Sequence, residues 1–132
     1  MQVTGTSPEH AVLDVDPYAA GCPSRQVLDR IGDRWTVLVV GSLSQGPLRF
    51  SELGRRIEGI SQKMLTQTLR GLERDGLVAR TVHPEVPPRV EYELTHVGRT
   101  LIAPLDALDA WAREHLPVIE QARVTYDGTR TA

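Results

Sequence analysis

The stretch GISQKMLTQTLRGLERDGLV, residues 59–78, decides the fold. Ser61 is a residue type that favours the N-cap of a helix, and Gly76 is the type that most often follows the last turn, so the stretch predicts a helix over 61–75. Three leucines lie on one face at the spacings of an amphipathic helix: Leu65, Leu69 and Leu72. At about 100° per residue, the opposite face collects polar side chains: Lys63, Thr66, Gln67, Arg70 and Arg74. The helix is therefore expected to bury its leucines and to present its polar face to water or to a partner.

A shorter helix is predicted immediately before this one. Residues 50–57, FSELGRRI, place Phe50, Leu53 and Ile57 on one face. The segment 58–60 contains glycine and predicts a tight turn. Two helices of this size joined by a short turn that contains glycine form the helix-turn-helix pattern.

Two extended segments follow the long helix. Residues 77–83, LVARTVH, and residues 89–94, RVEYEL, flank a proline-rich tip at 84–88. The second segment alternates, with apolar residues on one face: Val90, Tyr92 and Leu94. Its other face is charged: Arg89, Glu91 and Glu93. Alternation of this kind next to turn residues predicts a hairpin, and a hairpin directly after a helix-turn-helix is a wing.

Two helices are predicted before the helix-turn-helix. Pro23 favours the first position of a helix, and an apolar stripe follows it: Val27, Leu28 and Ile31. Asp33 can cap a second helix, whose apolar side chains also keep the helical spacing: Trp35, Leu38, Val39 and Leu43. The β-branched run at 36–40 would also suit a strand, but length and spacing favour a helix. The segment Gln45-Gly46-Pro47 ends it.

A last helix is predicted over about 96–123, capped by Thr95 and bent by Pro104 and Pro117. One stripe of mostly large apolar residues runs along it: Val97, Leu101, Leu105, Leu108, Ala112 and Ile119. A second stripe lies beside the first: Trp111, His115 and Val118. Because so small a domain cannot cover both, one stripe is expected to face the core and the other a partner helix.

The fold class that follows is mainly α with a small β-hairpin wing (α+β). We expect one winged helix-turn-helix domain over 21–132, preceded by a flexible N-terminal arm over 1–20. The arm is predicted because residues 1–20 lack any sustained apolar period.

The overall charge at first argues against a nucleic-acid partner. The chain has 132 residues, a formal net charge of -2 and a pI near 6.1. However, the charge is -3 over 1–24 and -2 over 101–132, whereas twelve basic and nine acidic side chains give +3 over 25–100. The net positive charge therefore lies in the part of the chain that contains the predicted helix-turn-helix. Fourteen of the fifteen basic residues are arginine, which suits contacts to phosphates and bases. A GC-rich coding bias would give the same preference.

Composition and motifs argue against several other classes. No apolar run approaches the ~18 residues of a membrane helix, and the N-terminal segment lacks the basic and apolar parts of a signal peptide, so a cytoplasmic protein with no membrane partner is expected. A single cysteine, Cys22, excludes a disulfide within the chain. No nucleophile elbow, phosphate loop or paired-carboxylate pattern indicates an enzyme. The histidines share no ligand spacing with the cysteine, so neither a metal nor another cofactor is expected.

Three segments, in this order, resemble the HxlR-type transcriptional regulators: CPSRQVLDRIGDRWTVLVV (22–40), GPLRFSELGRRIEGISQKMLTQTLRGLERDGLVART (46–81) and HPEVPPRVEYELTHVGRTL (83–101). The resemblance covers about residues 20–120. Proteins of this type are bacterial winged helix-turn-helix regulators, related in architecture to the MarR group. The resemblance implies a homodimer that is joined through its first and last helices. Its DNA partner would be a double-stranded operator with a palindromic sequence. We therefore expect a sequence-specific DNA-binding regulator, a repressor. The alternative is a winged helix that binds another protein and no specific DNA.

The helix over 61–75 is expected to enter the major groove. Its candidates for base contacts are Gln62, Lys63, Thr66, Gln67 and Arg70. Lysine and arginine can bond guanine O6 and N7, and glutamine can pair with adenine N6 and N7. The candidates for phosphate or wing contacts are Arg49, Arg55, Arg56, Ser61 and Arg89. Ser61 would hold a phosphate at the helix N-terminus, and Arg89 suits a narrow minor groove. The alternative is a solvated polar face with ordinary surface arginines.

Cys22 is the residue with reactive chemistry. A thiol at a helix N-terminus lies near the positive end of the helix dipole, which lowers its pKa, and Arg25 is close in sequence. In several HxlR-type regulators the cysteine in this position senses electrophiles or oxidants, so the resemblance makes Cys22 a candidate thiol sensor. The alternative is a small buried apolar residue. A small-molecule effector would instead use a pocket lined by three aromatic residues that otherwise pack in the core or at the dimer interface: Tyr18, Trp35 and Trp111.

Overall fold

The structure, a computed structural model, describes residues 18–19 and 21–131. The predicted arm over 1–20 therefore lies almost entirely outside the described residues. In chain order the elements are α1 (Pro23–Ile31), α2 (Arg34–Leu43), β1 (Leu48–Arg49), α3 (Phe50–Arg56), α4 (Gln62–Arg74), β2 (Val78–His83), β3 (Arg89–Leu94), α5 (His96–Arg99) and α6 (Ile102–Thr131).

Residues predicted to begin and end the helices do so. The side chain of Asp33 accepts a hydrogen bond from the N–H of Trp35 at 2.7 Å, at the start of α2. The side chain of Ser61 accepts one from the N–H of Met64 at 3.0 Å, at the start of α4. Gly76, with φ of +75°, adopts the left-handed conformation that ends α4. The helical interpretation of 36–40 is also confirmed, because this run lies inside α2.

The core lies between α2, α4 and the base of the strands. The helices contribute its most buried apolar side chains: Val39, Val40, Leu43, Leu53, Leu65, Leu69 and Leu72. The start of the wing and α6 complete it: Leu77, Val78, Leu94 and Leu105. The leucine face of α4 is therefore turned inward as predicted, which leaves the opposite face of the helix outside the core.

The wing is a three-stranded antiparallel sheet in the order β1-β3-β2. The predicted hairpin is confirmed, since β2 pairs with β3 along its whole length, from Val78 opposite Leu94 to His83 opposite Arg89. The strand β1 was not predicted from the sequence. Its two residues pair with the other edge of β3: Leu48 with Tyr92 and Arg49 with Glu91. So short a strand shows no alternation, and it forms because β3 offers an unpaired edge beside it.

The prediction of one continuous C-terminal helix over 96–123 is wrong. The chain forms the four-residue α5 and the 30-residue α6, with residues 100–101 between them. Gly98 of α5 packs on the carbonyl oxygen of Leu77, which holds α5 against the base of the wing. Pro104 does not bend the helix, because it lies in the first turn of α6, where its missing N–H has no intrahelical partner to lose. Pro117 lies inside α6 as predicted.

None of the described helices combines the length and apolar character needed to cross a membrane.

Candidate nucleic-acid interface

The outward face of α4 carries the side chains predicted to contact bases. Together with Phe50 of α3 they line one open depression of about 510 Å³: Gln62, Lys63, Thr66, Gln67 and Arg70. Four of the five are exposed, and Thr66 is half-buried. The structure thus brings all five onto one surface. Their contact with bases stays a prediction.

The N-terminus of α4 opens onto the same surface. The Ser61 oxygen accepts the hydrogen bond from Met64, and this cap leaves the hydroxyl hydrogen able to donate elsewhere. The N–H groups of the first turn have no acceptor within the helix. An anion near Ser61 would therefore meet several donors and the positive end of the helix dipole. This geometry is compatible with the predicted phosphate contact, which stays a prediction.

The surface continues from α4 onto the wing through two residues that the sequence pattern does not mark as site residues, Arg80 and Tyr92. A second depression of about 350 Å³ joins Thr66 and Arg70 of α4 to Arg80 of β2 and Tyr92 of β3. Arg80 is exposed and lies opposite Tyr92 in the sheet. No motif surrounds Arg80 in the sequence. Its place beside the helix follows from the register of the hairpin, because a slip of one residue would move the Arg80 side chain to the other face of the sheet.

The three arginines predicted to contact phosphate around α3 do not line these depressions. Arg49 pairs in β1 and precedes α3, where its backbone N–H donates to Oε1 of Glu52 at 2.8 Å. Arg55 and Arg56 line a different depression, of about 490 Å³, against the loop that joins α2 to β1. All three are exposed. Their phosphate contacts stay predictions for a surface beside the α4 face.

Arg89 at the base of the wing tip is already paired with carboxylates. Its Nε lies 2.8 Å from Oε2 of Glu85, and its Nη1 lies 3.7 Å from Oε2 of Glu91. The first contact is close enough for an ion pair, although the direction of the N–H does not satisfy a hydrogen bond. His83 contributes Nε2 at 2.8 Å from the other oxygen of Glu91. To contact the minor groove, Arg89 must therefore break its contacts with Glu85 and Glu91.

Cys22 lies at a helix N-terminus and is also buried. It is the N-cap residue of α1, as a sensor at a helix N-terminus would be, and its side chain is only 6% exposed. Its Sγ lies 3.1 Å from the hydroxyl oxygen of Ser24. The Nη1 atom of Arg25 donates a hydrogen bond to the carbonyl oxygen of Tyr18 at 3.4 Å. The sensor role of Cys22 stays a prediction.

The three aromatic residues considered for an effector pocket lie in different surroundings. Trp35 packs against the core and carries the guanidinium of Arg34 over its ring, 4.5 Å from the ring centroid. Trp111, on the exposed part of α6, stacks on His115 with ring centroids 4.7 Å apart. Tyr18 is exposed. A pocket formed by the three stays a prediction.

The match to a family model decides which group of winged helices this is. The model described as HxlR-like helix-turn-helix matches residues 30–120, from the end of α1 to the middle of α6. The chain belongs to the HxlR-like helix-turn-helix family. The resemblance seen in the sequence is thereby confirmed, and so is the winged helix-turn-helix fold class.

Relatives of this HxlR-like protein agree with the assignment. It is 44% identical over 106 residues to the uncharacterized HTH-type transcriptional regulator YtfH of Escherichia coli K12, which covers 80% of this chain and 84% of the relative. A solved structure of YtfH from Salmonella typhimurium, 42% identical, superposes with a TM-score of 0.77 over 83% of this chain and 98% of that chain. The reduced form of the redox regulator HypR, 40% identical, superposes with a TM-score of 0.69 over 75% of this chain and 98% of that one.

The family and its relatives establish the class of function. This HxlR-like protein is a transcriptional regulator with a DNA-binding helix-turn-helix, and it is not an enzyme. Within residues 18–19 and 21–131, no three His, Cys, Asp or Glu side chains are grouped so that they could hold a metal ion.

Proposed function

We propose that this HxlR-like protein is a homodimeric repressor that binds a palindromic operator with α4 in the major groove. The observation that carries the proposal is the outward face of α4, where five side chains able to bond base edges share one surface. We further propose that an effector, or modification of Cys22, releases the DNA.

The side chains on this face suit the reading of bases. Lys63 and Arg70 can donate to guanine O6 and N7, and Gln62 and Gln67 can each pair with adenine N6 and N7. Thr66 offers a hydroxyl between them, as well as a methyl group for contact with thymine. The N-terminus of α4, capped by Ser61, would fix the register of the helix through a phosphate.

The exposed apolar surface of α6 supports a dimer of two copies of this chain. The helix has 30 residues, so it is about 45 Å long. Beyond Leu105 it exposes large apolar side chains: Leu108, Trp111, Leu116, Val118, Val124 and Tyr126. On α1 two more are exposed: Val27 and Leu28. Burying this surface against a second copy removes it from water, which favours association.

A two-fold axis explains why the operator should be palindromic. In a symmetric dimer each α4 meets the same bases in opposite orientation. Two α4 helices placed one DNA turn apart, about 34 Å, then require two inverted half-sites with the same separation. Release follows from any change that rotates the helices away from this separation.

Two routes of release follow from the chain. In the first, Cys22 reacts with an oxidant and forms a disulfide with a thiol outside its own chain; the two thiols lose two electrons and two protons, which the oxidant takes up. The name of HypR as a redox regulator supports this route by analogy. In the second, a small aromatic effector binds in a pocket lined by Tyr18, Trp35 and Trp111.

A selection from genomic DNA fragments tests the proposal. The full-length wild-type chain is incubated with sheared DNA of its own genome, and the retained fragments are sequenced. The proposal expects an enriched motif with inverted half-sites. A retained set without any shared motif would favour the alternative, in which the winged helix binds another protein and no specific DNA.

A further inference from the structure

A charged contact joins α4 to α1, away from the two depressions on the outward face of α4. Nε of Arg30, in the last turn of α1, donates to Oδ2 of Asp75 at 3.0 Å. Asp75 is the C-cap residue of α4. The side chains of the pair are 31% and 28% exposed, so both are partly shielded from water. The contact links residues that lie 45 positions apart in the chain.

Gly71 makes room for this contact. The guanidinium of Arg30 lies so close to the α4 backbone that a Cβ at residue 71 would overlap Cζ and both Nη atoms. Glycine is one of the least favourable residues in a helix, yet Gly71 is a buried residue of α4, four positions before the C-cap residue Asp75. The side chain that gains space from the missing Cβ is that of Arg30.

The charge of Arg30 compensates the end of the helix. The C-terminus of α4 carries the negative end of the helix dipole, and Asp75 adds a full negative charge there. A second cation, Arg74, lies farther from Asp75, with Nη1 at 3.9 Å from Oδ1, and its side chain is largely exposed. Arg30 is therefore the cation that is both closer to Asp75 and better fixed.

Helix α1 is only shallowly packed in the described structure, where it contacts α2, the next helix along the chain. None of its residues is buried, and Val27 and Leu28 in its middle are exposed. Its N-cap residue Cys22 is buried at one end, and Arg30 reaches α4 at the other. A movement of α1 would consequently act on the end of α4 through Arg30.

We propose that Arg30 is a positioning residue, which fixes the C-terminal end of α4 relative to α1 by lying over Gly71 and bonding Asp75. The inference rests on the proposed function, in which α1 contributes to the dimer surface and α4 reads DNA. Without the contact α4 stays folded, but its orientation relative to the two-fold axis is less well defined. The affinity for a site with two half-sites then falls, whereas binding to unrelated DNA, which needs no fixed separation, is retained.

Two substitutions break the contact from opposite sides. Gly71→Ala displaces only the end of a flexible side chain and introduces a better helix former, so the fold is kept. Arg30→Met keeps a long apolar stem and removes the guanidinium. Gly41→Ala is the matched control, because Gly41 is also helical and a Cβ there meets no atom within 4 Å.

The experiment measures fluorescence anisotropy of the full chain on two labelled duplexes. One is the region immediately upstream of the protein's own gene, and the other is a shuffled duplex of equal length and composition. We expect Gly71→Ala and Arg30→Met each to weaken binding to the upstream duplex about tenfold, and binding to the shuffled duplex to be unchanged. The double variant should bind no more weakly than either single variant, because both remove one contact. Gly41→Ala should bind like the wild type.

The outcomes that overturn the inference are distinct from those that overturn the proposed function. Wild-type affinity of both contact variants for the upstream duplex would show that Arg30 does not position α4. An equal loss on both duplexes would show a general structural role and would also contradict the inference. A wild-type chain that binds both duplexes equally, and that retains no shared motif in the genomic selection, would instead contradict the proposed function itself.

Discussion

Gly98 of α5 lies directly against the carbonyl oxygen of Leu77, at the point where α4 is followed by the wing. Thr95 reinforces this junction, since its hydroxyl donates to the carbonyl oxygen of Gly76 at 2.6 Å and accepts from the N–H of Gly98 at 3.0 Å. The backbone of α5 is thereby held on the end of α4. The C-terminal helices are thus connected to α4 through backbone packing, which leaves no room for an added side chain.

Replacing Gly98 by alanine should destabilise the protein. The new Cβ would overlap a backbone oxygen, which no rotation of a side chain relieves, and overpacking of this kind typically costs ~1–3 kcal/mol. The free energy of unfolding, measured by urea denaturation, should fall by that amount. Gly41→Ala serves as the control and should be neutral or stabilising. Equal stability of the two variants would contradict the packing described here.

Replacing Lys63 or Arg70 by alanine should weaken specific DNA binding. Each base contact contributes ~1–3 kcal/mol of discrimination, and both side chains lie on the outward face of α4. Affinity for the upstream duplex should fall in a gel-shift titration, while Arg99→Ala, an exposed arginine on α5, leaves it unchanged. Unchanged affinity of both α4 variants would show that another face of the protein meets DNA.

A charge on the exposed apolar surface of α6 should separate the dimer. Val118 is 71% exposed, so Val118→Asp leaves the fold of the single chain intact but places a carboxylate in the proposed interface. Sedimentation equilibrium should give a dimer for the wild type and a monomer for the variant. Glu120→Ala, an exposed change on the same helix, should remain dimeric. A dimeric Val118→Asp chain would place the interface elsewhere.

Removing the carboxylate that holds Arg89 should strengthen DNA binding. In Glu85→Gln the ion pair at 2.8 Å is lost, so Arg89 reaches DNA without first giving up that partner. We expect a gain of a few-fold in affinity for the upstream duplex. The control is to introduce Glu85→Gln into a chain that already carries Arg89→Gln. If the gain persists without Arg89, it arises from the lost negative charge alone, and the wing contact is wrong.

Cys22→Ser should uncouple DNA binding from oxidant. Serine is close to cysteine in size and is a favoured N-cap residue, but it cannot form a disulfide. On addition of diamide, the wild type should lose its affinity for the upstream duplex in a gel shift, and the variant should keep it. Release of both proteins would exclude the thiol route and leave the effector route.

The sequence alone predicts most features that depend on neighbouring residues. Ser61 and Gly76 delimit α4 because capping and the left-handed conformation are local properties. The leucine spacing likewise predicts which face of α4 is outward, and hence the side chains gathered on it. The hairpin follows from the alternation in β3.

What the sequence does not predict depends on contacts between distant segments. The strand β1 exists because β3 has a free edge, and the break before α6 depends on Leu77 meeting Gly98. Val97 and Leu101 keep the helical spacing across that break, so the pattern predicts a continuous helix. Arg80 and Arg30 are placed beside α4 by strand register and helix packing, which no local motif records.

The most direct test of the central claim is an anisotropy titration of the wild-type chain on duplexes that tile the region upstream of its gene. The proposed function predicts that one duplex is bound by two chains. Its affinity should be ~10³-fold or more above that of its shuffled counterpart at physiological salt. It also predicts that inverted half-sites in that duplex are both needed. Equal affinity for every tile and for the shuffled sequence would contradict it.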